Sequence, residues 1–417
     1  MYGVGLILGA GIYVLIGDVA EIAGNAMWIS FILAAIMAAF TGLSYAELSS
    51  MFPKSAAEYV FVKNAFRNNM VAFVTGWLII FVAVASAAAV SLGFAAYFSV
   101  FFPQIDPLLI TMVLIAGLSF VNYIGIKESM SMNVAFTLIE LAGLAIIVFA
   151  AVIFGSPEAN YYEMPPPAAS SLLTSVGALA SAAGLAFFAY FGFENLANLS
   201  EETKNASRVI PKALLISIVV TTAIYILVAI SAVAIVGWED LSSSNAPLGL
   251  AAEKVFGKGG IIAISAIALF ATSNTVLMML VSGSRIIFGM ARGGSLPGAL
   301  ARVHQSRKTP WVGVVITMLL TVTIAGASMG SIQTVANVAV FGIFAVYALV
   351  NFALIWLRYK EPGRERPFRS PITIGRFPLL AGLGAVTSIA MLTQFNYNTM
   401  LAGVAAAATG LIAYLVQ

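Results

Sequence analysis

The sequence predicts an all-α polytopic membrane protein with twelve transmembrane helices, and three observations carry that prediction. Of its 417 residues, 61% are hydrophobic and only 9% are charged, against roughly 25% charged in soluble globular chains. The mean hydropathy is +1.01. Apolar runs of about the 20 residues that a bilayer crossing needs recur along the whole length. With so few charges, a chain of this size could not cover its apolar surface in water.

The runs lie near 2–22, 27–50, 70–100, 107–125, 132–154, 172–199, 212–237, 259–291, 311–329, 332–357, 378–395 and 399–416. Several are longer than a perpendicular crossing requires, which predicts tilt or extension beyond the bilayer. The connections leave no room for a soluble domain; the longest, near 155–171 and 238–258, carry Pro, Ser, Asn or paired acids. The first run is N-terminal and apolar, as a signal peptide would be. It lacks a basic n-region and an A-x-A-like cleavage site before the next run, so it reads as span 1. The absence of cysteine excludes disulfides and thiolate metal sites.

Basic residues divide unevenly between the two sides. Eighteen of the twenty Lys and Arg follow even-numbered spans, in clusters such as Lys54, Lys63 and Arg67, or Arg358 to Arg376; only Lys254 and Lys258 lie on the other side. The positive-inside rule then places both termini in the cytoplasm. The net charge of +3 is thus a topology signal and gives no reason to expect a nucleic-acid partner. The triplet Asn205-Ala206-Ser207 has the form of a glycosylation site but falls on the cytoplasmic side, where it reads as chance.

Span 1 reads GVGLILGAGIYVLIGD, with Gly3, Gly5, Gly9, Gly11 and Gly17 inside a segment that must be helical to cross lipid. Gly5 and Gly9 form a GxxxG pair that would serve close helix packing. Span 6 poses the same problem a second time: Gly192 stands between Phe191 and Phe193, with Glu194 next. Spans 1 and 6 are five apart, so the two five-span sets enter the membrane from opposite sides. Interrupted spans at matching places in inverted halves point to the binding site of a secondary transporter. Unwound backbone there offers N–H groups to a carboxylate and carbonyls to an ammonium or a cation, and is tolerable at that depth only where it lines a cavity.

The stretches that carry these features resemble the amino acid–polyamine–organocation transporters over essentially the whole chain. They are Leu8-Gly9-Ala10-Gly11-Ile12-Tyr13, the segment from Tyr45-Ala46-Glu47-Leu48 through Phe52-Pro53 to Tyr59, FAYFGFENLANLSEETKNASRVIPKA, and SRIIFGMARGGSLPGALARVHQSRKTP. The resemblance implies a five-plus-five inverted-repeat core working by alternating access, with helices 1 and 6 discontinuous. Its repeats would cover 1–154 and 172–359, and two further helices 376–417. It also implies site roles. Ala10 and Gly11 would offer N–H groups to a substrate carboxylate, and the carbonyls of Leu8, Phe188 and Phe191 would accept its α-ammonium. Phe191 would form an aromatic lid beside Gly192, and Ala189 would face the substrate side chain. Two departures stand out. The lead into span 1 is shorter than is usual in the family, which implies a trimmed chain or an unusual inner gate. SAAEY at 55–59 replaces a glycine-rich turn, which implies a stiffer one.

Few charges remain away from the membrane ends. Glu140 in FTLIELAGLAIIVF is the most isolated. Holding an acid there in its charged form costs about 2.5–3.5 kcal/mol even on permissive scales, so an intramembrane acid is a functional-site hypothesis by default. In proton-coupled relatives a lysine occupies what looks like this place, beside span 1 and the span 8 hydroxyls, here Thr272 and Ser273, with Asn274 adjacent. A carboxylate in that position could carry the proton itself or help to hold a sodium ion; the alternative is a protonated acid bonded to a neighbouring helix. For Glu194 the resemblance implies a structural role at the frayed backbone of span 6. Glu47 would organise the inner gate, and His304, the only histidine, reads as a solvated loop residue.

The leading expectation is uptake or exchange of amino acids across a plasma membrane, with coupling to protons. No extra acid lies close in sequence to Ala10, Ala189 or Phe191, which favours neutral substrates. The alternatives are a sodium-coupled symporter, an ion-independent exchanger and a cationic amino acid or polyamine carrier. A channel would need filter loops or rings of acids, and an embedded enzyme would need clustered His, Cys or paired acids; neither pattern is present. No cofactor is expected, and the particular amino acid and the oligomeric state leave no mark on the sequence.

Overall fold

The computed structural model describes residues 2–328 and 330–416. Its helices are α1 (Tyr2–Ala23), α2 (Met27–Met51), α3 (Ala57–Phe66), α4 (Asn69–Phe98), α5 (Pro107–Ile124), α6 (Ile126–Phe154), α7 (Leu172–Ala186), α8 (Asn195–Asn198), α9 (Ala206–Ile235), α10 (Trp238–Ser242), α11 (Pro247–Phe256), α12 (Lys258–Arg292), α13 (Trp311–Ala327), α14 (Ile332–Lys360), α15 (Leu379–Leu392) and α16 (Tyr397–Val416). The only sheet among the described residues is a two-stranded hairpin, β1 (Thr373–Ile374) and β2 (Phe377–Pro378), paired antiparallel between α14 and α15.

Nine segments among the described residues are long and apolar enough to cross a membrane. The first, Gly3–Met51, holds both α1 and α2, while α13 and α15 are shorter apolar helices. Large apolar side chains point outward on the peripheral helices: Val152 and Phe149 of α6, Leu172 and Leu173 of α7, and Val416 of α16 are all more than two-thirds exposed. Such a surface suits hydrocarbon, where every backbone group must be satisfied within the helix. By contrast, the described side chains of α1 are almost all buried, enclosed by α7, α9, α10 and α12. The most extensive packing joins α12 to α4 and α2 to α9.

Local chemistry fixes several helix ends. Asp106 caps α5 by accepting from Leu108 N–H (2.7 Å), with Pro107 in the first turn. Ser171 and Thr174 form a reciprocal capping box at the start of α7. The connection expected at 238–258 is more ordered than a loop. Pro247 starts α11, and Leu248, Ala251 and Ala252 bury one face of it against α12. That stripe is too short to register as a span, so hydropathy alone passed over it.

Candidate substrate site

Gly9 breaks α1 with non-helical dihedrals (φ 18°, ψ −155°). A Cβ there would collide with Thr275 Oγ1 of α12. The missing side chain lets that hydroxyl accept from Ala10 N–H (2.8 Å), one of the donors freed by the break. The second interruption follows α7. A 3₁₀ turn spans Phe187–Tyr190, and helical structure resumes only in the short α8. Gly192 sits at φ +118°, a conformation that a side chain opposes, and a Cβ would strike the Leu6 carbonyl.

The two breaks face each other. Gly11 lies directly on the Ala189 Cα, and Gly192 on the Leu6–Ile7 backbone. Between them stands the hydroxyl of Tyr225, on α9, within reach of three carbonyl oxygens: Ile7 (2.6 Å), Leu8 (2.8 Å) and Ala189 (2.7 Å). A hydroxyl has one proton to donate, so it can satisfy only one of them at a time. Three converging carbonyls are the acceptor set that an ammonium would satisfy.

The sequence-derived site residues lie around this point with three differences, the first being that the Ala10 N–H expected to serve a carboxylate is held by Thr275. The Leu8 carbonyl converges as expected for an acceptor, but Ile7 and Ala189 accompany it. The Phe188 carbonyl instead accepts from Phe191 N–H (3.1 Å) inside the turn. Phe191 is buried, its ring 5.0 Å from that of Phe188. Ala10, Gly11, Ala189 and Gly192 are all buried as well. Tyr225 was not singled out from the sequence; a lone hydroxyl-bearing ring inside the aliphatic run of span 7 was the available signal.

Glu194 is engaged with the broken backbone. Its carboxylate accepts from Gly192 N–H (3.1 and 3.2 Å), Asn195 Nδ2 (3.2 Å) and the Tyr347 hydroxyl of α14 (3.0 Å). Asn195 Oδ1 also takes a short hydrogen bond from the Ser282 hydroxyl of α12. The span 6 break is thereby tied to both α12 and α14.

Glu140 on α6 is fully buried, and neither carboxylate oxygen has a hydrogen-bond partner among the described residues. Its backbone carbonyl accepts from the Tyr13 hydroxyl (3.2 Å). Thr272 does not bond to it: that hydroxyl turns back to the carbonyls of Ala268 (2.7 Å) and Leu269 (3.2 Å). Ser273 makes no hydrogen bond with Glu140 either. The α12 side chains that hydrogen-bond to α6 and α1 are Asn274 and Thr275. Asn274 Nδ2 donates to Gly5 O (3.2 Å) and Thr137 Oγ1 (3.3 Å), and its Oδ1 accepts from Asn133 Nδ2 (2.9 Å). Asn133, Thr137 and Glu140 recur at helical spacing, so one polar stripe of α6 faces the break in α1. No group of His, Cys, Asp or Glu that could hold a metal ion occurs among the described residues.

Ion pairs also tie together helices at the end rich in Arg and Lys. Glu47 of α2 holds Arg358 of α14 through two bonds (2.6 and 2.7 Å), and Ser370 N–H (2.8 Å) joins them. Glu202 pairs with Arg285 (2.9 Å) and Glu201 with Arg292 (3.3 Å). Glu58 of α3 accepts from Tyr45 (3.1 Å) and Asn198 (3.3 Å). Burial pushes its carboxyl up to about 7. At the opposite end, Asp18, Asn245 and Gln333 line a cavity of about 260 Å³. It lies some two helical turns along α1 from Gly11.

A family model described as amino acid permease matches residues 1–416. The chain belongs to the amino acid permease family. It is 28% identical to the branched-chain amino acid permease BcaP of Bacillus subtilis, over 99% of this chain and 90% of that protein. It is 29% identical to the methylthioribose transporter of the same organism, over 89% of this chain and 82% of that one. It is also 29% identical to the mouse large neutral amino acids transporter small subunit 2, over 90% and 72% respectively. This permease is therefore a multi-pass membrane protein of amino acid transport, within the superfamily that the sequence motifs resemble.

Proposed function

We propose that this permease is a secondary transporter that carries neutral amino acids across the plasma membrane by alternating access, with protons as the coupling ion. One observation carries the reading: the carbonyls of Ile7, Leu8 and Ala189 converge on a single point between two facing helix breaks. The substrate α-ammonium takes that point. Its carboxylate takes the N–H groups of Ala10 and Gly11, at the start of the second half of α1. Phe188 and Phe191 close over the side chain beside Ala189, and Gly192 allows the close approach that brings the breaks together. The groups around the point are backbone and apolar side chains, which suits a neutral side chain. Two of the relatives are named for branched-chain and large neutral amino acids.

The architecture that fits this function is a twelve-helix chain with both termini in the cytoplasm. Its inverted repeats occupy 1–154 and 172–359, and helices 11 and 12 occupy 376–417. Glu140 is the coupling group in this scheme. A buried carboxyl without a partner is stable as the neutral acid, and losing its proton becomes favourable when a pathway opens to water. Thr272 and Ser273 would complete the ion site in a state where α12 turns toward Glu140. Glu194 keeps the span 6 backbone unwound.

The test is uptake of mixed labelled amino acids into liposomes holding the purified protein. Inward proton, inward sodium and no gradient are compared, for wild type and Glu140→Gln. Proton-driven accumulation of neutral amino acids, lost in Glu140→Gln while exchange persists, is the expected result. Accumulation driven by sodium, or a variant that accumulates as well as wild type, overturns the coupling assignment. Absence of amino acid flux altogether overturns the function.

A further inference from the structure

The connection from α14 to α15 holds a cavity that the transport cycle above leaves unused. Arg358, Arg364, Arg366, Arg369 and Arg376 line it together with Pro362, and its volume is about 410 Å³. Five guanidinium groups outnumber the two carboxylates that pair with any of them, Glu47 and Glu361, and Glu361 is shared with Arg67 (3.4 Å). Glu47 takes Arg358 and Arg366, and Glu361 takes Arg364 (2.8 Å). Arg364 also lies over the Phe52 ring, 4.1 Å from its centroid. Nη1 and Nη2 of Arg366 donate to the carbonyls of Leu357, Glu361 and Arg364 (2.8–3.1 Å), while its Nε lies 3.1 Å from Glu47 without a hydrogen bond. Arg369 and Arg376 are exposed and have no ion-pair partner among the described residues.

The decisive detail is Arg358. Its side chain is only 3% exposed, yet its Nη1 has no hydrogen-bond partner among the described residues. A buried charged donor left unmatched is costly unless an acceptor arrives. One of these groups, Arg376, stands at the tip of the β1–β2 hairpin, which turns at Gly375 (φ +62°).

We propose that this arginine-lined cavity binds a phosphate-bearing anion. Guanidinium forks match phosphate oxygens two at a time, and a volume near 410 Å³ admits a phosphodiester or diphosphate rather than a single water. The chemistry is shared by an anionic phospholipid headgroup and by a soluble phosphate compound. Basic pockets between transmembrane helices are suited to the former. Because Arg358 and Arg366 also hold Glu47 of α2, an anion here shares its ligands with the α2–α14 junction.

The test uses the purified full-length chain and two probes, and neither needs transport to occur. In one arm, protein from nanodiscs of phosphatidylcholine with or without phosphatidylglycerol is examined by native mass spectrometry for retained phosphatidylglycerol. In the other, inorganic pyrophosphate is titrated in detergent at constant ionic strength, with thermal stabilisation as the readout. Arg369→Gln/Arg376→Gln removes the two partnerless guanidiniums, and Arg376→Gln alone serves if the double variant does not fold. Retention of phosphatidylglycerol, weakened about tenfold in the variant, supports the proposal and identifies a headgroup. Stabilisation by pyrophosphate alone, weakened to the same degree, supports it and identifies a soluble anion. Binding in neither arm, or binding that the variant leaves unchanged, overturns it.

Discussion

Replacing Tyr225 by phenylalanine removes one oxygen from the point where three carbonyls meet, and the direction of the effect is diagnostic. The hydroxyl sits 2.6–2.8 Å from the oxygens of Ile7, Leu8 and Ala189. Without it, one of these buried carbonyls loses its donor, at a cost of about 1–3 kcal/mol. If an α-ammonium takes over those same acceptors, the complex loses much less than the free protein does. Tyr225→Phe should therefore melt lower when empty yet bind its amino acid about five- to a hundredfold more tightly. Binding isotherms on detergent-purified protein give the dissociation constant directly, and the rise in melting temperature at saturating substrate gives an independent measure. Turnover should fall, because tighter ground-state binding slows release. Unchanged or weaker binding by the variant would refute the argument, since the hydroxyl would then not stand where the ammonium goes.

Three other substitutions test the surrounding structure. Gly192→Ala places a methyl group against the Leu6 carbonyl at φ +118° and should abolish uptake, with the yield of folded protein reduced; wild-type transport would show that the breaks need not touch. Glu47→Gln should lower the melting temperature by the equivalent of about 3–5 kcal/mol, because it leaves Arg358 and Arg366 buried without a countercharge; a shift near zero would remove the junction from the list of stabilising contacts. Glu58 tests pH dependence. Its folded-state carboxyl titrates near 7, above the ordinary 4.5, so the native protein binds the extra proton. The stability it contributes is complete below about pH 4.5 and is lost as pH rises through 7, by about 3 kcal/mol. Glu58→Gln should flatten the melting temperature across that window, and an unchanged slope would assign the titration to another group.

How much of this was legible in the sequence depended on how far each signal lies from its consequence. Gly9 and Gly192 were legible because a glycine inside an apolar run weakens a helix locally, and the breaks occur at those positions. The isolation of Glu140 was equally plain, since no ionisable neighbour exists on its own helix for several turns. The contacts of Thr272 and Ser273 were not legible. Four consecutive polar residues, Thr272 to Thr275, wrap around α12 at about 100° per residue, and the sequence does not say which of them faces α1. The structure puts Asn274 and Thr275 there and turns Thr272 back onto its own helix. Tyr225 was hidden for the same reason: its role exists only where α9 crosses two breaks that are distant in the chain. α11 was hidden because its buried face is only a few residues long.

These positions share a physical logic. At mid-membrane depth, an unwound backbone must find partners within the protein, so each break is answered by a polar side chain, from another helix or from the broken segment braced by one. Thr275 answers Ala10, Tyr225 answers Ile7, Leu8 and Ala189, and Glu194 answers Gly192, itself held by Tyr347. Those partners come from α12, α9 and α14. A substrate that competes for the same backbone groups must displace or relax some of these bonds, and in doing so it acts on three helices at once. That supplies a route by which a small zwitterion, making few contacts of its own, could shift the balance between two arrangements of the whole bundle. The shift can be no larger than the difference in its binding energy between them. Glu140 has no such partner among the described residues. In the proposed coupling scheme, that leaves its carboxyl to be satisfied by the transported proton.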